Sequence, residues 1–431
     1  MCYHYTIRQL EFLGNPTVEH RFLKYSSWQS QAEAIFVPEI AMQRLQEKLI
    51  TNNKLGLYCH VPFCAHKCSY CAFYQEPPTH QLIEQYLAGI EKEFSMLDIG
   101  QPFDTIYIGG GTPGILTAKS LGRLCKILTK NNHRILPVEF SVEFSPATVK
   151  KDKLDILAHY HCNRITIGVQ SFNPKILQIL GRRQTSRQIS EAWEIISSYK
   201  ISNIGIDLIF GIPGQTFDEW IQDLQRAIDL KPQHISTYNL TFENGTPLRN
   251  KLLAKLFDQK SNDEEADFYL QTLDFLRKNG YEHYEISNFC LPKFESIHNS
   301  NTWKMQDWVG IGPAACSQYD NKRFANPSSI TQWLQSLKRG HLRHVHGEIL
   351  SEQVLAEDSI IFGLRMNEGV NILNLQNKYH TIDFSPLNDL FFQLENEGFL
   401  QIANDVVRLT DSGRLVADAI AVKILENFQS T

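Results

Sequence analysis

The chain has 431 residues, of which 42% are apolar, with a formal net charge of -5 and nine cysteines. That length allows roughly two to four domains with real cores, and the acidic balance gives no basic field for a nucleic-acid backbone. No apolar run approaches the roughly 18 residues that cross a bilayer, the opening MCYHYTIRQLEFLGNP carries no leader pattern, and the cysteines are too scattered for a disulfide framework, so a cytoplasmic protein is expected.

Residues 1–50 form an N-terminal extension without repeats, in which PEIAMQRLQEKL (38–49) has helical periodicity. From residue 55 short β-rich runs alternate with amphipathic stretches. The runs are LGLYCHV (55–61), TIYIGG (105–110), VEFSVEF (138–144), RITIGVQ (164–170), IGIDLIFG (204–211) and HISTYNL (234–240). Helices are expected over 81–97, 118–131, 149–161, 186–199 and 216–230, where apolar residues recur every three or four positions. Such repeated βα units predict an α/β fold with a parallel sheet, open or closed into a TIM-like (β/α)6 barrel, over residues 51–325. Chemistry in such barrels collects at the carboxyl ends of the strands. From 326 to 431 the pattern reads as helices, a hairpin turning at Asn404 and Asp405, and a closing helix. This is a small winged-helix-like unit with an acidic surface, expected to pack on the barrel rather than to bind DNA.

HVPFCAHKCSYCAFY (60–74) follows the first strand and places Cys64, Cys68 and Cys71 within eight positions. Three thiolates hold a metal cluster with one coordination position left open, which suits a bound substrate or cofactor. The competing reading is a structural zinc with Cys59, His60 or His66 as fourth ligand. Cys59 and His60 are neighbours on a strand and face opposite sides, so at most one of them can join. Cys125 and Cys162 sit among apolar neighbours and are expected in the core. GGGTP (109–113) offers backbone unobstructed by side chains, while Glu143, Gln170 and Asp207 fall near the ends of later strands, where an unpaired buried carboxylate is costly. Taken singly, each has an ordinary explanation as a turn, a cap or a salt bridge.

The C-x3-C-x2-C spacing resembles that of the radical S-adenosylmethionine (SAM) enzymes. In these, three cysteines bind a 4Fe-4S cluster, the fourth iron chelates SAM, and one electron cleaves the sulfonium to a 5'-deoxyadenosyl radical. LYCHVPFCAHKCSYC, IGGGTP, RITIGVQSF, GRR, IDLIFGIPGQT and YEISNF together resemble the oxygen-independent coproporphyrinogen III oxidase family and its heme chaperone relatives, from about residue 55 to LTDSGRLVADAI. The resemblance implies Cys64, Cys68 and Cys71 as cluster ligands. It implies Tyr58, Tyr70, Gly110, Gly111, Thr112, Glu143, Gln170, Arg182 and Asp207 around SAM, with Thr241 near the same site.

The oxidases carry a further cysteine two positions after the third. Here that position is Phe73, as in the chaperone branch, which argues against the oxidase reaction. YEISNF and HNSNTW (298–303) also resemble the chaperones. That branch implies binding of heme and its transfer to an acceptor protein, with an electron donor such as a flavodoxin or ferredoxin. Thr302 and Cys316 depart from the chaperone pattern, leaving His298 as first and Cys316 as second candidate heme ligand, and a hydrogen-bonded structural histidine as the alternative for His298. A porphyrinogen-decarboxylating oxidase and a zinc-stabilised binding protein are the competing functions.

Overall fold

The structure, a computed structural model, describes residues 54–97, 99–342 and 344–429. The N-terminal extension, with the helix expected at 38–49, lies outside the described residues. Six parallel strands, β1 (Leu55–Val61), β2 (Thr105–Gly110), β3 (Glu139–Phe144), β4 (Arg164–Gln170), β5 (Asn203–Phe210) and β6 (His234–Asn239), lie side by side in chain order. The helices between them are α1 (His80–Met96), α2 (Ala118–Leu128), α3 (Lys151–His159), α4 (Ser186–Ser197) and α5 (Phe217–Asp229), with α6 (Asn262–Lys278) following β6. These are the expected βα units. Thr185–Gln188, Thr216–Glu219 and Ser261–Glu264 form reciprocal capping boxes that satisfy orphan amides at the starts of α4, α5 and α6.

Alternation along the strands separates two environments. Leu57, Cys59, Ile106, Ile108, Phe140, Val142, Ile165, Ile167, Ile206 and Leu208 face the helices and are buried in one continuous core. The opposite face carries Tyr58, His60, Thr105, Tyr107, Glu139, Ser141, Arg164, Thr166, Asp207 and Ser236. A concave sheet face this polar is stable only where its groups bond to one another or to a ligand.

The sheet continues at both ends, so the barrel stays open. On the β6 side are β7 (Glu282–Glu285) and β8 (Asn288–Cys290), antiparallel to each other, with β8 antiparallel to β6. Between these and the next strand runs a seven-residue helix, α7 (Ile297–Trp303). On the β1 side are β9 (Asp307–Ile311), parallel to β1, then the antiparallel β10 (Cys316–Tyr319), β11 (Lys322–Ala325) and β12 (Val345–Ile349). Residues 326–349 thus continue this sheet and its helix layer. Helix α8 (Ile330–Lys338) packs Trp333 on the barrel, and its indole donates to Glu93 on α1 at 3.1 Å.

The C-terminal unit has its own core, gathered from α9 (Glu352–Gly363), α10 (Ile372–Lys378), α11 (Leu387–Asn396) and, after the short α12 (Asp411–Leu415), whose Leu415 packs on the barrel core, α13 (Ala417–Gln429), with a small sheet of β13 (Val370–Asn371), β14 (Leu400–Ala403) and β15 (Val406–Leu409). The β14–β15 hairpin turns at Asn404 (φ 51°) and Asp405 (φ 61°), the left-handed pair that a two-residue turn requires. Trp303 and Met305, at and just beyond the end of α7, belong to this second core.

A buried ion pair fastens the units: Arg323 on β11 reaches Asp358 on α9 at 2.9 Å, with side chains 3% and 10% exposed. Asp358→Ala leaves the guanidinium buried without its counter-charge, so a loss of about 3–5 kcal/mol is expected in chemical denaturation.

Candidate cofactor site at the carboxyl ends of the strands

The cysteines lie in the loop joining β1 to α1, which is pinned at both ends and in the middle. Glu76 N donates to Pro62 O at 2.6 Å and Cys64 N to Glu76 O at 3.1 Å, closing the loop on itself. Ser69 in its centre donates through its amide to Leu180 O at 3.0 Å and through its hydroxyl to Ile179 O at 2.8 Å, while its carbonyl accepts from Leu248 N at 2.8 Å. The three thiols therefore project from a fixed backbone. Each has its own polar neighbour: Thr112 Oγ1 at 3.5 Å from Cys64, Arg182 Nη1 at 3.6 Å from Cys68, and Gln75 Nε2 at 3.4 Å from Cys71.

Burial pushes the Cys71 thiol up to about 11 and raises that of Cys64 as well. Such thiols ionise when a metal cation takes the proton's place. Among the described residues no three His, Cys, Asp or Glu side chains converge as a single tetrahedral ion would require. Thiols that each bind a different iron of a cluster need not converge. Cys59 cannot serve as an extra ligand: it faces the helix layer, fully buried, with its sulfur 3.4 Å from Tyr86 Oη. Cys125 and Cys162 are buried in the same core.

GGGTP works differently from the expectation of open amides. Gly110 N donates to Glu143 Oε2 at 3.3 Å, Gly111 N to Val61 O at 2.8 Å and Thr112 N to Phe63 O at 2.8 Å. The amides are used internally, and the glycines supply space. Gly110 has φ +110°, and a Cβ there would meet the His60 ring at 2.6 Å; one on Gly111 would lie 2.7 Å from Phe63 O and 3.1 Å from Cys64 Sγ.

Glu143, near the end of β3, accepts the Tyr107 hydroxyl at 2.7 Å, and burial raises its pKa. Asp207 on β5 is buried, and desolvation pushes it up to about 7 against the hydrogen bond with Ser236. The ion pairs among the described residues leave both carboxylates out. Arg182 donates to Gly168 O and toward Cys68, and its buried Nε has no hydrogen-bond partner among the described residues. Gln170 ends β4 with φ 68°, and its amide lies beside Gly168, which also faces Arg182. Tyr58 reaches His60 Nδ1 through its hydroxyl at 3.2 Å. Tyr70 packs on the apolar group of Ile176, Leu180, Phe242 and Leu248, and Thr241 is half-buried two residues beyond β6.

The strands thus gather Cys64, Cys68, Cys71, Gly110, Gly111, Thr112, Glu143, Gln170, Arg182 and Asp207 toward one end. His298 is placed elsewhere. It begins α7 at the amino ends of β2 and β3, 5% exposed, with Nδ1 2.8 Å from Thr105 Oγ1 and its amide donating to Glu139 at 3.1 Å. Cys316 is half-buried on β10, and its carbonyl accepts the Trp308 indole at 3.1 Å. Tyr107 and Ser236 were not singled out from the sequence, and His60 only as a possible zinc ligand. The signal for them was the strand alternation, which puts all three on the inner face.

Comparison with known proteins fits this geometry. Residues 58–227 match the Radical SAM superfamily and residues 350–416 the HemN C-terminal domain. The heme chaperone HemW of Lactococcus lactis is 33% identical over 368 residues, covering 85% of this chain and 96% of that protein. HemW of Bacillus subtilis is 29% identical over 372 residues, covering 84% and 97%. Among solved structures, coproporphyrinogen III oxidase (HemN) from Escherichia coli superposes with a TM-score of 0.77 at 23% identity, over 90% of this chain and 93% of that one, a likeness of fold.

Substituting Cys64, Cys68 or Cys71 by Ala is expected to abolish the visible charge-transfer absorbance of the anaerobically reconstituted protein, whereas Cys125→Ala retains it. An unchanged spectrum in the first three overturns the ligand set. Asp207 predicts a pH effect on the metal-free protein. Its pKa is raised in the fold, so its favourable contribution is complete below about pH 4 and is lost as pH rises through about 7. Asp207→Asn should flatten that segment of the stability curve, by on the order of 4 kcal/mol for a shift of this size, in urea unfolding followed across pH.

Proposed function

Because the chain belongs to the heme chaperone HemW family within the radical SAM superfamily, we propose that it binds heme and passes it to an acceptor protein, with a 4Fe-4S cluster and SAM accompanying transfer rather than decarboxylating a propionate. The observation that carries the reading is the cysteine loop itself: three thiols on a pinned backbone, followed by Phe73 where the oxidases have a fourth cysteine.

The residues present fit the cofactors of that superfamily. Cys64, Cys68 and Cys71 would hold the cluster, and the Arg182 guanidinium beside Cys68 offsets its negative charge. The half-buried Glu143 and the buried Asp207, in no ion pair among the described residues, would take the ammonium and hydroxyl groups of SAM, whose sulfonium the bound cluster would reduce. The side chains here bind, orient and exclude water.

Heme, the cargo, needs apolar surface. The helix Pro247–Leu253 packs Leu248 on the apolar group under Tyr70, while Leu253 and the nearby Leu256 are 68% and 70% exposed. Lys67 and Arg183, exposed on the cysteine loop and the GRR segment, offer positive charge to an acidic electron donor of flavodoxin or ferredoxin type. No helix among the described residues is long and apolar enough to cross a membrane.

The test is to give the reconstituted protein heme in one experiment, and coproporphyrinogen III with SAM and a low-potential reductant in another. Near-stoichiometric heme binding with no loss of carboxyl groups by mass spectrometry is expected. Decarboxylated porphyrinogen without heme binding would make the protein an oxidase despite Phe73.

A further inference from the structure

We propose that Tyr107 and His298 are positioning residues for the Glu143 carboxylate, and that His298 is not the ligand of heme. The inference rests on the reading that Glu143 contacts SAM.

A carboxylate near a strand end can rotate about its side-chain bonds, and a ligand that needs one orientation must restrict it. Tyr107 does so from two residues before the glycine turn, through the 2.7 Å bond of its hydroxyl to Oε1, while Gly110 N holds Oε2 at 3.3 Å. The phenol is in turn held on its ring. Tyr58 lies with its centroid 6.1 Å away at 35°, and the His298 imidazole lies 5.1 Å away at 32°.

His298 is fixed from three directions. Thr105 Oγ1 lies 2.8 Å from Nδ1, Glu139 accepts its amide, and Gly56 leaves so little room that a Cβ there would lie 3.2 Å from Cε1. Burial drives its pKa down to about 3, so the ring is neutral and adds no charge beneath the tyrosine. A heme would need an imidazole nitrogen that a wide macrocycle can approach. This imidazole is wedged between β1, β2 and Tyr107, at the end of the strands away from the cysteines. A chain of contacts therefore runs from the HNSNTW segment through Tyr107 to the Glu143 carboxylate.

The experiment uses the full-length reconstituted protein. SAM is titrated against the electron paramagnetic resonance signal of the reduced cluster, and heme against the Soret band. Tyr107→Phe removes the hydroxyl and keeps the ring; SAM affinity should fall about tenfold, the size expected for one hydrogen bond to a charged group, with the SAM-free cluster signal and melting temperature unchanged. His298→Asn, which keeps a polar group toward Thr105 and loses the ring, should weaken SAM in the same direction and leave heme stoichiometry and the Soret position as in the parent. Should that variant fail to fold, Tyr107→Phe decides the positioning role, and His298→Gln, read by its Soret band, decides the heme half. If Glu143→Gln weakens SAM binding but Tyr107→Phe does not, the positioning role is overturned. A lost or shifted Soret band in folded His298→Asn overturns the second half. Unaltered SAM binding in Glu143→Gln would instead remove the underlying assignment, and the inference with it.

Discussion

The carboxylate of Glu139 organises the closed end of the barrel. It accepts the amides of Ile297 at 2.8 Å and His298 at 3.1 Å and the hydroxyls of Ser141 at 3.0 Å and Ser296 at 3.3 Å, and it faces the Arg164 guanidinium at 3.9 Å. A buried charge with this many partners is held in place, because removing any one leaves the others to bear the desolvation cost. From it follow the seat of α7, the place of His298 against Tyr107, and the polar lining that continues up the strands to Glu143 and Asp207. The inner face is largely polar, and at its far end Glu139 is fully met, whereas Arg164 Nε, Asn203 Oδ1 and His234 Nδ1 find no hydrogen-bond partner among the described residues. At the mouth, Glu143 and Asp207 stay outside every ion pair among the described residues.

Much of this was legible in the sequence because period and chemistry agreed. The six parallel strands and the helices between them show in alternating apolar runs and amphipathic stretches, and the tight hairpin shows in Asn404 and Asp405. Cys64, Cys68 and Cys71 stood out in the sequence by their spacing together with the motifs around them, and the structure places all three in the loop after β1. The lateral strands were not: DWVGI, CSQY and KRFA are short and mixed in polarity, and β9 pairs with β1 from some 250 positions away in the chain. Periodicity carries no information about such a partner.

The site was read less completely than the fold for a related reason. The family resemblance named the residues that would touch a cofactor but not those that hold them. Tyr107 reads as one more β-former in TIYIGG until the register shows it facing Glu143. The glycines of GGGTP suggested free amides; tertiary structure assigned those amides to Val61, Phe63 and Glu143. His298 drew attention through its motif, and its burial against Thr105 could not be foreseen without knowing that α7 closes the barrel.

Helix α7 begins on Glu139 inside the barrel and ends with Trp303 in the core of the C-terminal unit, where the Arg365 guanidinium lies 4.8 Å from the indole centroid. Seven residues thus act as a rivet through two separately packed bodies. Pulling the C-terminal unit away would draw an indole out of one core and a buried amide pair off a carboxylate in the other. The two bodies are therefore expected to melt as one cooperative block, although each has a hydrophobic centre of its own.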